Sequence, residues 1–285
     1  MFYLPIFGAF LEAVDIIITK KVLKKKISSI NYILYIFLCI VLVSIPFLFF
    51  FWRIDKEALE LKNLAIFIII VIVSIFANFL VIYSLRKKDV SEIEPIRLTT
   101  PLFTVLLVFI FGFFFEVYST ERNYLILALT LIASLALILT HVKKGHLDFN
   151  KYIMAALAGS FLFALEIVIS KPILFYYNQL TFYFLRSLWI FIICWIFFHP
   201  KISNVDIKTR AMILVSAIIA VIYRVILYNG IMNLGIVFTT ILFILAPVFI
   251  YIFAAIFLKE KITLRQIISS IVIVLCVVIA ILNWQ

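Results

Sequence analysis

The chain alternates between long apolar runs and short charged links. Ten runs stand out, at approximately 2–19, 30–52, 64–85, 92–115, 124–141, 152–170, 181–198, 211–229, 236–258 and 266–284, numbered here as spans 1 to 10. Each is close to the roughly 20 residues that a helix needs to cross the hydrocarbon core of a bilayer. None shows the period-two alternation of a transmembrane barrel, and amides in hydrocarbon must be paired within their own segment. The pattern therefore predicts an all-α membrane protein of ten transmembrane helices. Spans 1 and 4 contain acidic residues, so an interfacial or re-entrant placement stands as the alternative for these two.

Charge is concentrated in the links, as in Arg53 to Lys62, Arg86 to Asp89 and Lys143 to Lys151, and no link is long enough for a soluble domain. Composition agrees, because 67% of the 285 residues are hydrophobic and 14% charged, against roughly 45–50% apolar residues in soluble domains. The net charge of +11 is spread over the links and forms no basic domain, so membrane lipid rather than nucleic acid is the expected partner. The lysines from Lys20 to Lys26 follow the first apolar run with no small-residue cleavage pattern after them, so that run reads as a retained span and not as a signal peptide. The links after the odd-numbered spans hold 17 lysines and arginines and the other links five. By the positive-inside rule this places both termini outside the cytoplasm.

An internal repeat organises the spans. Residues 8–23, GAFLEAVDIIITKKVL, lie over residues 159–174, GSFLFALEIVISKPIL, in one register. Gly8, Phe10, Leu11, Lys20 and Leu23 meet identical residues at 159, 161, 162, 171 and 174, while Asp15 falls on Glu166 and Thr19 on Ser170. Shared apolar composition alone would not repeat the polar positions. Further on, Pro101 corresponds to Pro247, and each is followed by an apolar stretch ending at an acid, Glu116 or Glu260. The chain thus divides into a first repeat, 1–142, and a second, 151–285, of five helices each. An odd number of spans per repeat inverts the second copy relative to the first, a geometry typical of alternating-access transporters.

Intramembrane charges supply the candidate chemistry, because one at the bilayer centre costs about 2.5–3.5 kcal/mol on insertion scales and so usually faces a cavity. In span 1, Gly8, Glu12, Asp15 and Thr19 share one helix face. Gly159, Phe163, Glu166 and Ser170 repeat that stripe in span 6. Asp15 and Glu166 read either as an acidic pair for a cationic group or a proton, or as residues snorkelling to an interface. In SEIEPIRLTTP of span 4, Glu94 and Arg97 are spaced for an intrahelical ion pair and Pro101 for a kink that exposes carbonyls. The alternative sets Glu92 and Glu94 among headgroups beside Arg86, Lys87 and Lys88. Arg186 and Arg224 lie among Tyr183, Trp189, Tyr223 and Tyr228, and Arg224 corresponds to Asn78 in the register that relates the two prolines. An arginine there is suited to a carboxylate or phosphate. Thr239 and Thr240 either line the pore or back-bond within their helix.

Other chemistries have little support. Cys39, Cys194 and Cys276 lie singly in apolar runs, and His141, His146 and His199 sit at segment ends without a second ligand at helical spacing, so neither a metal nor another cofactor is expected. No catalytic triad or glycine-rich phosphate loop occurs among only six glycines, which argues against an enzyme.

The duplicated pattern resembles the EamA type of the drug/metabolite transporter superfamily. Residues 246–267, APVFIYIFAAIFLKEKITLRQI, are similar to the family's proline, apolar stretch and terminal leucine and acid, and Pro95, Arg97, Pro101 and Glu116 are similar to its span-4 version. Where the family usually has Trp-Gly in span 1, this chain has Glu12 and Ala13. The resemblance implies two five-helix repeats and transport of amino acids, other metabolites, sugar phosphates, nucleotide sugars or toxic compounds, by ion coupling or exchange. It also implies cytoplasmic termini, against the charge count. The expectation is a cell-membrane transporter for a small polar, amino-acid-like solute, with a proton as the candidate coupling ion and spans 1, 3, 4, 6, 8 and 9 lining the cavity. A flippase for a lipid-linked sugar and a non-transporting scaffold are the alternatives, and the sequence is silent on oligomeric state.

Overall fold

In the computed structural model, residues 2–25, 27–87, 93, 96–97, 99–121, 123–139, 150–198, 205–259 and 261–283 are described. They form α1 (Tyr3–Leu23), α2 (Ser29–Phe51), α3 (Leu61–Lys87), α4 (Thr99–Phe111), α5 (Tyr124–Leu139), α6 (Lys151–Leu174), α7 (Gln179–Phe198), α8 (Ile207–Leu234), α9 (Ile236–Phe243), α10 (Ala246–Leu258) and α11 (Leu264–Leu282). Short 3-10 turns cover Lys56–Leu59 and Glu116–Glu121. Seven helical segments among the described residues are long and apolar enough to cross a membrane: α2, α3, α6, α7, α8, the pair α9 and α10 taken together, and α11. Of the rest, α1 carries Glu12, Asp15, Lys20 and Lys21, while α4 and α5 are shorter apolar helices.

Helix ends are set by local chemistry. Ser28 caps α2 by accepting from the Asn31 amide, Asn150 caps α6 by accepting from Tyr152 and Ile153, and Thr263 with Gln266 closes a capping box on α11. Span 9 does not form one helix. It divides at Ile244 and Leu245, with Pro247 in the first turn of α10, where a missing amide costs least.

Two other prolines leave a carbonyl four residues back without its amide donor, and a hydroxyl supplies the bond in each case. Thr100 Oγ1 donates to the Arg97 carbonyl at 2.6 Å across the gap made by Pro101. Tyr118, from the link after α4, donates to the Val168 carbonyl at 2.8 Å across the gap made by Pro172. The carbonyl freed by Pro101 is therefore bonded, which differs from the expectation that it would be offered to a cavity.

Packing interlocks the halves. The first helix of each half packs on the third and on the fourth span of the other, α1 on α8 and α10 and α6 on α3 and α4, while α2 pairs with α7 and α5 with α11. In this crossed arrangement spans 1 and 6 each pack on the other half's helices. Glycines permit the approach: a Cβ on Gly8 would sit 2.6 Å from Phe243, and one on Gly159 2.8 Å from Val81.

The links meet at two ends of the bundle. At one, here face A, Lys25 from the link after α1 reaches Asp206 at 3.3 Å and Thr209 at 2.8 Å, both next to the start of α8. The Thr209 hydroxyl holds the Asp206 carboxyl below its ordinary range. At the other, face B, the Asp55 amide donates to the Tyr176 carbonyl at 2.8 Å and Thr181 Oγ1 to the Phe51 carbonyl at 2.8 Å. Between the two faces, Phe49, Phe50, Phe76, Ile256, Ile271 and Leu275 are exposed, an apolar surface suited to lipid.

Candidate functional site

The polar stripe of α1 faces inward and meets charges from three other spans, Arg97, Arg186 and Arg224. Two cavities of about 80 Å³ each lie in the interior, room for a few waters or the polar head of a small solute. The first is walled by Glu12, Arg97, Thr100, Thr104, Thr240 and Arg224, with Pro101 and Phe243 beside them. The second is walled by Asp15, Thr19, Tyr32, Asn78, Arg186 and Arg224. Arg97, Phe163, Tyr223 and Arg224 line both, so they form the partition. The Arg224 guanidinium lies 5.5 Å from the Phe163 ring centre and 5.7 Å from that of Tyr223, two cation–π contacts within the partition.

Glu166 lies behind this wall, fully buried, and lines neither cavity. Its carboxylate pairs with Arg186, accepts from the Tyr228 hydroxyl at 3.0 Å, and has Arg224 Nη1 at 3.7 Å. One carboxylate thus holds two arginines whose other faces reach the cavities. Their excess positive charge is opposed across the space by Asp15 and Glu12. Asp15 accepts from the Ser216 hydroxyl, Thr19 and Tyr32 share a hydrogen bond of 2.7 Å, and Glu12 stands 4.0 Å from Arg97. Glu12, Arg97 and Arg224 keep side-chain exposures of 27%, 17% and 12%, against 0% for Glu166, which separates the wall from its support.

The other expected residues fall variously. Asn78 lines the second cavity and donates to the Ser74 carbonyl at 2.8 Å, and Tyr228 reaches Glu166 but neither cavity. Glu94 lies outside the described residues, as do Glu92, His141, His146 and His199. Thr240 is on the wall, whereas Thr239 packs against Gly230. Spans 1, 3, 4, 6, 8 and 9 all contribute to the cavities, but α2 and α7 do too, through Tyr32, Tyr183 and Arg186. Among the described residues no group of three His, Cys, Asp or Glu side chains is placed to hold a metal ion.

Sequence reasoning missed Glu121. Glu116, the acid singled out at the end of the span-4 stretch, is exposed, whereas Glu121 is buried and pairs with Lys171. A signal was present, because Lys171 repeats Lys20 in the duplicated stripe and Lys20 is also buried, donating to the Leu85 carbonyl at 2.7 Å.

An all-helical bundle with an apolar girdle and a cavity walled by opposed charges defines a multi-pass membrane protein of the transporter class. The chain belongs to the EamA-like transporter family, whose sequence model matches residues 2–140 and again 150–282. The double match agrees with the duplication read from the residues. No curated protein matches the chain. A crystal structure of another protein aligns over 99% of this chain and 96% of its own at a TM-score of 0.67, and at 15% identity it speaks for the fold alone.

Proposed function

We propose that the chain is a ten-span carrier of two inverted five-helix repeats, 1–142 and 151–285, that moves a small polar or zwitterionic solute across the cell membrane by alternating access. The observation that carries this reading is the partitioned cavity, in which Arg97 and Arg224 face acids on both sides. An arginine pair suits a carboxylate, and Glu12 in one chamber and Asp15 in the other suit an ammonium group, so a zwitterion has complementary partners in either chamber. Alternation of the link contacts between faces A and B supports ten crossings, with α9 and α10 making one of them. Crossed packing of α1 and α6 onto the opposite halves supports the inverted repeat. In this reading Glu166 positions the arginines and does not touch solute, and Glu12 and Asp15 are the groups available to a coupling proton.

Purified protein in liposomes, tested for uptake of labelled amino acids with and without a pH gradient, checks the proposal. Uptake that saturates, and that falls at least about tenfold in Arg224→Ala, is expected. Normal uptake in that variant refutes the assignment of the cavity as the solute path.

A further inference from the structure

Glu121 and Lys171 sit away from the solute cavity, yet both are buried, and the proposed site uses neither. Glu121 belongs to the turn after α4 in the first half, and Lys171 to the last turn of α6 in the second. Besides pairing with Lys171, the Glu121 carboxylate accepts from the first two amides of α9, Ile236 at 2.9 Å and Val237 at 3.0 Å. Those amides have no partner within their own helix, and the helix dipole adds positive potential there, so one carboxylate satisfies both a cation and a helix end. Gly235 makes the approach feasible. Its φ of +84° lies in the region that favours glycine, and a Cβ there would stand 2.8 Å from Glu121 Oε2.

Helix α9 is short and interrupted at both ends, by Gly235 before it and by the break at Ile244 and Leu245 after it. Its first turn is held by Glu121, while one turn further on Thr240, and then Phe243, line the first cavity. On the other side of the same contact lies a wider recess of about 370 Å³, lined by Glu121, Asn123, Lys171, Asn233 and Gly235. The contact therefore stands between an outer recess at face B and the inner cavity, and it ties the two repeats together. Tyr118, in the same turn as Glu121, anchors to the carbonyl freed by Pro172, one residue beyond Lys171.

The geometry points to the Glu121 carboxylate, bridging Lys171 and the N-terminus of α9, as a latch that holds α9 shut at face B and must open for solute to pass on that side. This inference rests on the alternating-access reading. Opening swaps buried charge-assisted hydrogen bonds for water, so the latch sets the population of the face-B-open state.

Thiol labelling tests it without a known solute. Thr240→Cys, in a chain whose Cys39, Cys194 and Cys276 are replaced by alanine, is reconstituted in vesicles of either orientation and exposed to an impermeant maleimide. With the latch intact, labelling is expected from face A and is slow from face B. Glu121→Gln, which keeps an acceptor but loses the charge, and Gly235→Ala, which displaces the carboxylate without altering any charge, should each raise the face-B rate by about tenfold or more. Labelling from face A that stays unchanged while neither variant raises the face-B rate overturns the latch and leaves the carrier reading standing. A cysteine at 240 that is reached from neither face in any variant overturns the carrier reading itself.

Discussion

The burial of Glu166 between Arg186 and Tyr228 separates two kinds of charged residue that look alike in the sequence. A fully buried ion pair gains little when whole but costs about 3–5 kcal/mol when one partner is removed, because the other charge stays behind unsolvated. Glu166→Gln is therefore expected to destabilise the protein by that order, seen as a lowered unfolding temperature in detergent, with lost uptake as a consequence. The double variant Glu166→Leu with Arg186→Met should recover part of that stability. Glu12 is different, since its side chain is 27% exposed on the cavity wall. Glu12→Gln should leave thermal stability within about 1 kcal/mol of the parent while changing uptake. Equal effects of the two substitutions on stability would contradict the division into wall and support.

Among elements, the proline-bearing helices make the sharpest case. Tyr118→Phe leaves the Val168 carbonyl without a donor at a helix position where Pro172 has no amide, and a buried unsatisfied acceptor costs about 1–3 kcal/mol. Pro172→Ala returns an amide to the position that bonds that carbonyl. The expectation is that Tyr118→Phe lowers the unfolding temperature and that adding Pro172→Ala restores most of the loss. If the second substitution makes matters worse, the hydroxyl is not standing in for the missing amide. Repeat arithmetic placed Pro101 and Pro247 in register, and Pro247 falls at a break between helices whereas the carbonyl freed by Pro101 is bonded by Thr100. Neighbouring hydroxyls decide such outcomes, and a proline position alone does not carry that information.

For the whole molecule, orientation is the open quantity that sequence charge addresses directly. Seventeen basic link residues against five put face A in the cytoplasm if the positive-inside rule holds. Exposed positions on each face serve as reporters: Lys25→Cys on face A and Lys56→Cys on face B. In intact cells an impermeant thiol reagent should modify only the cysteine at 56, and the one at 25 only after permeabilisation. The reverse pattern would show that the family's usual drawing, with cytoplasmic termini, applies and that the charge bias does not set the topology here.

The all-helical, multi-pass character, the duplication and the stripe of Gly8, Glu12, Asp15 and Thr19 were legible because they depend on consecutive residues. Transfer into hydrocarbon is a sum along a segment, and helical periodicity assigns faces within it. Family membership followed from the same order and repetition. What tertiary structure alone decided is which charges meet. Glu166 and Arg186 come from separate helices, and Glu121 reaches Lys171 and the amides of Ile236 and Val237 from a third part of the chain. The energy of such contacts depends on distance and on the exclusion of water, quantities that no single helix specifies. For that reason a pseudo-symmetric pair of acids in the sequence became, in the fold, Asp15 on a cavity wall and Glu166 behind it.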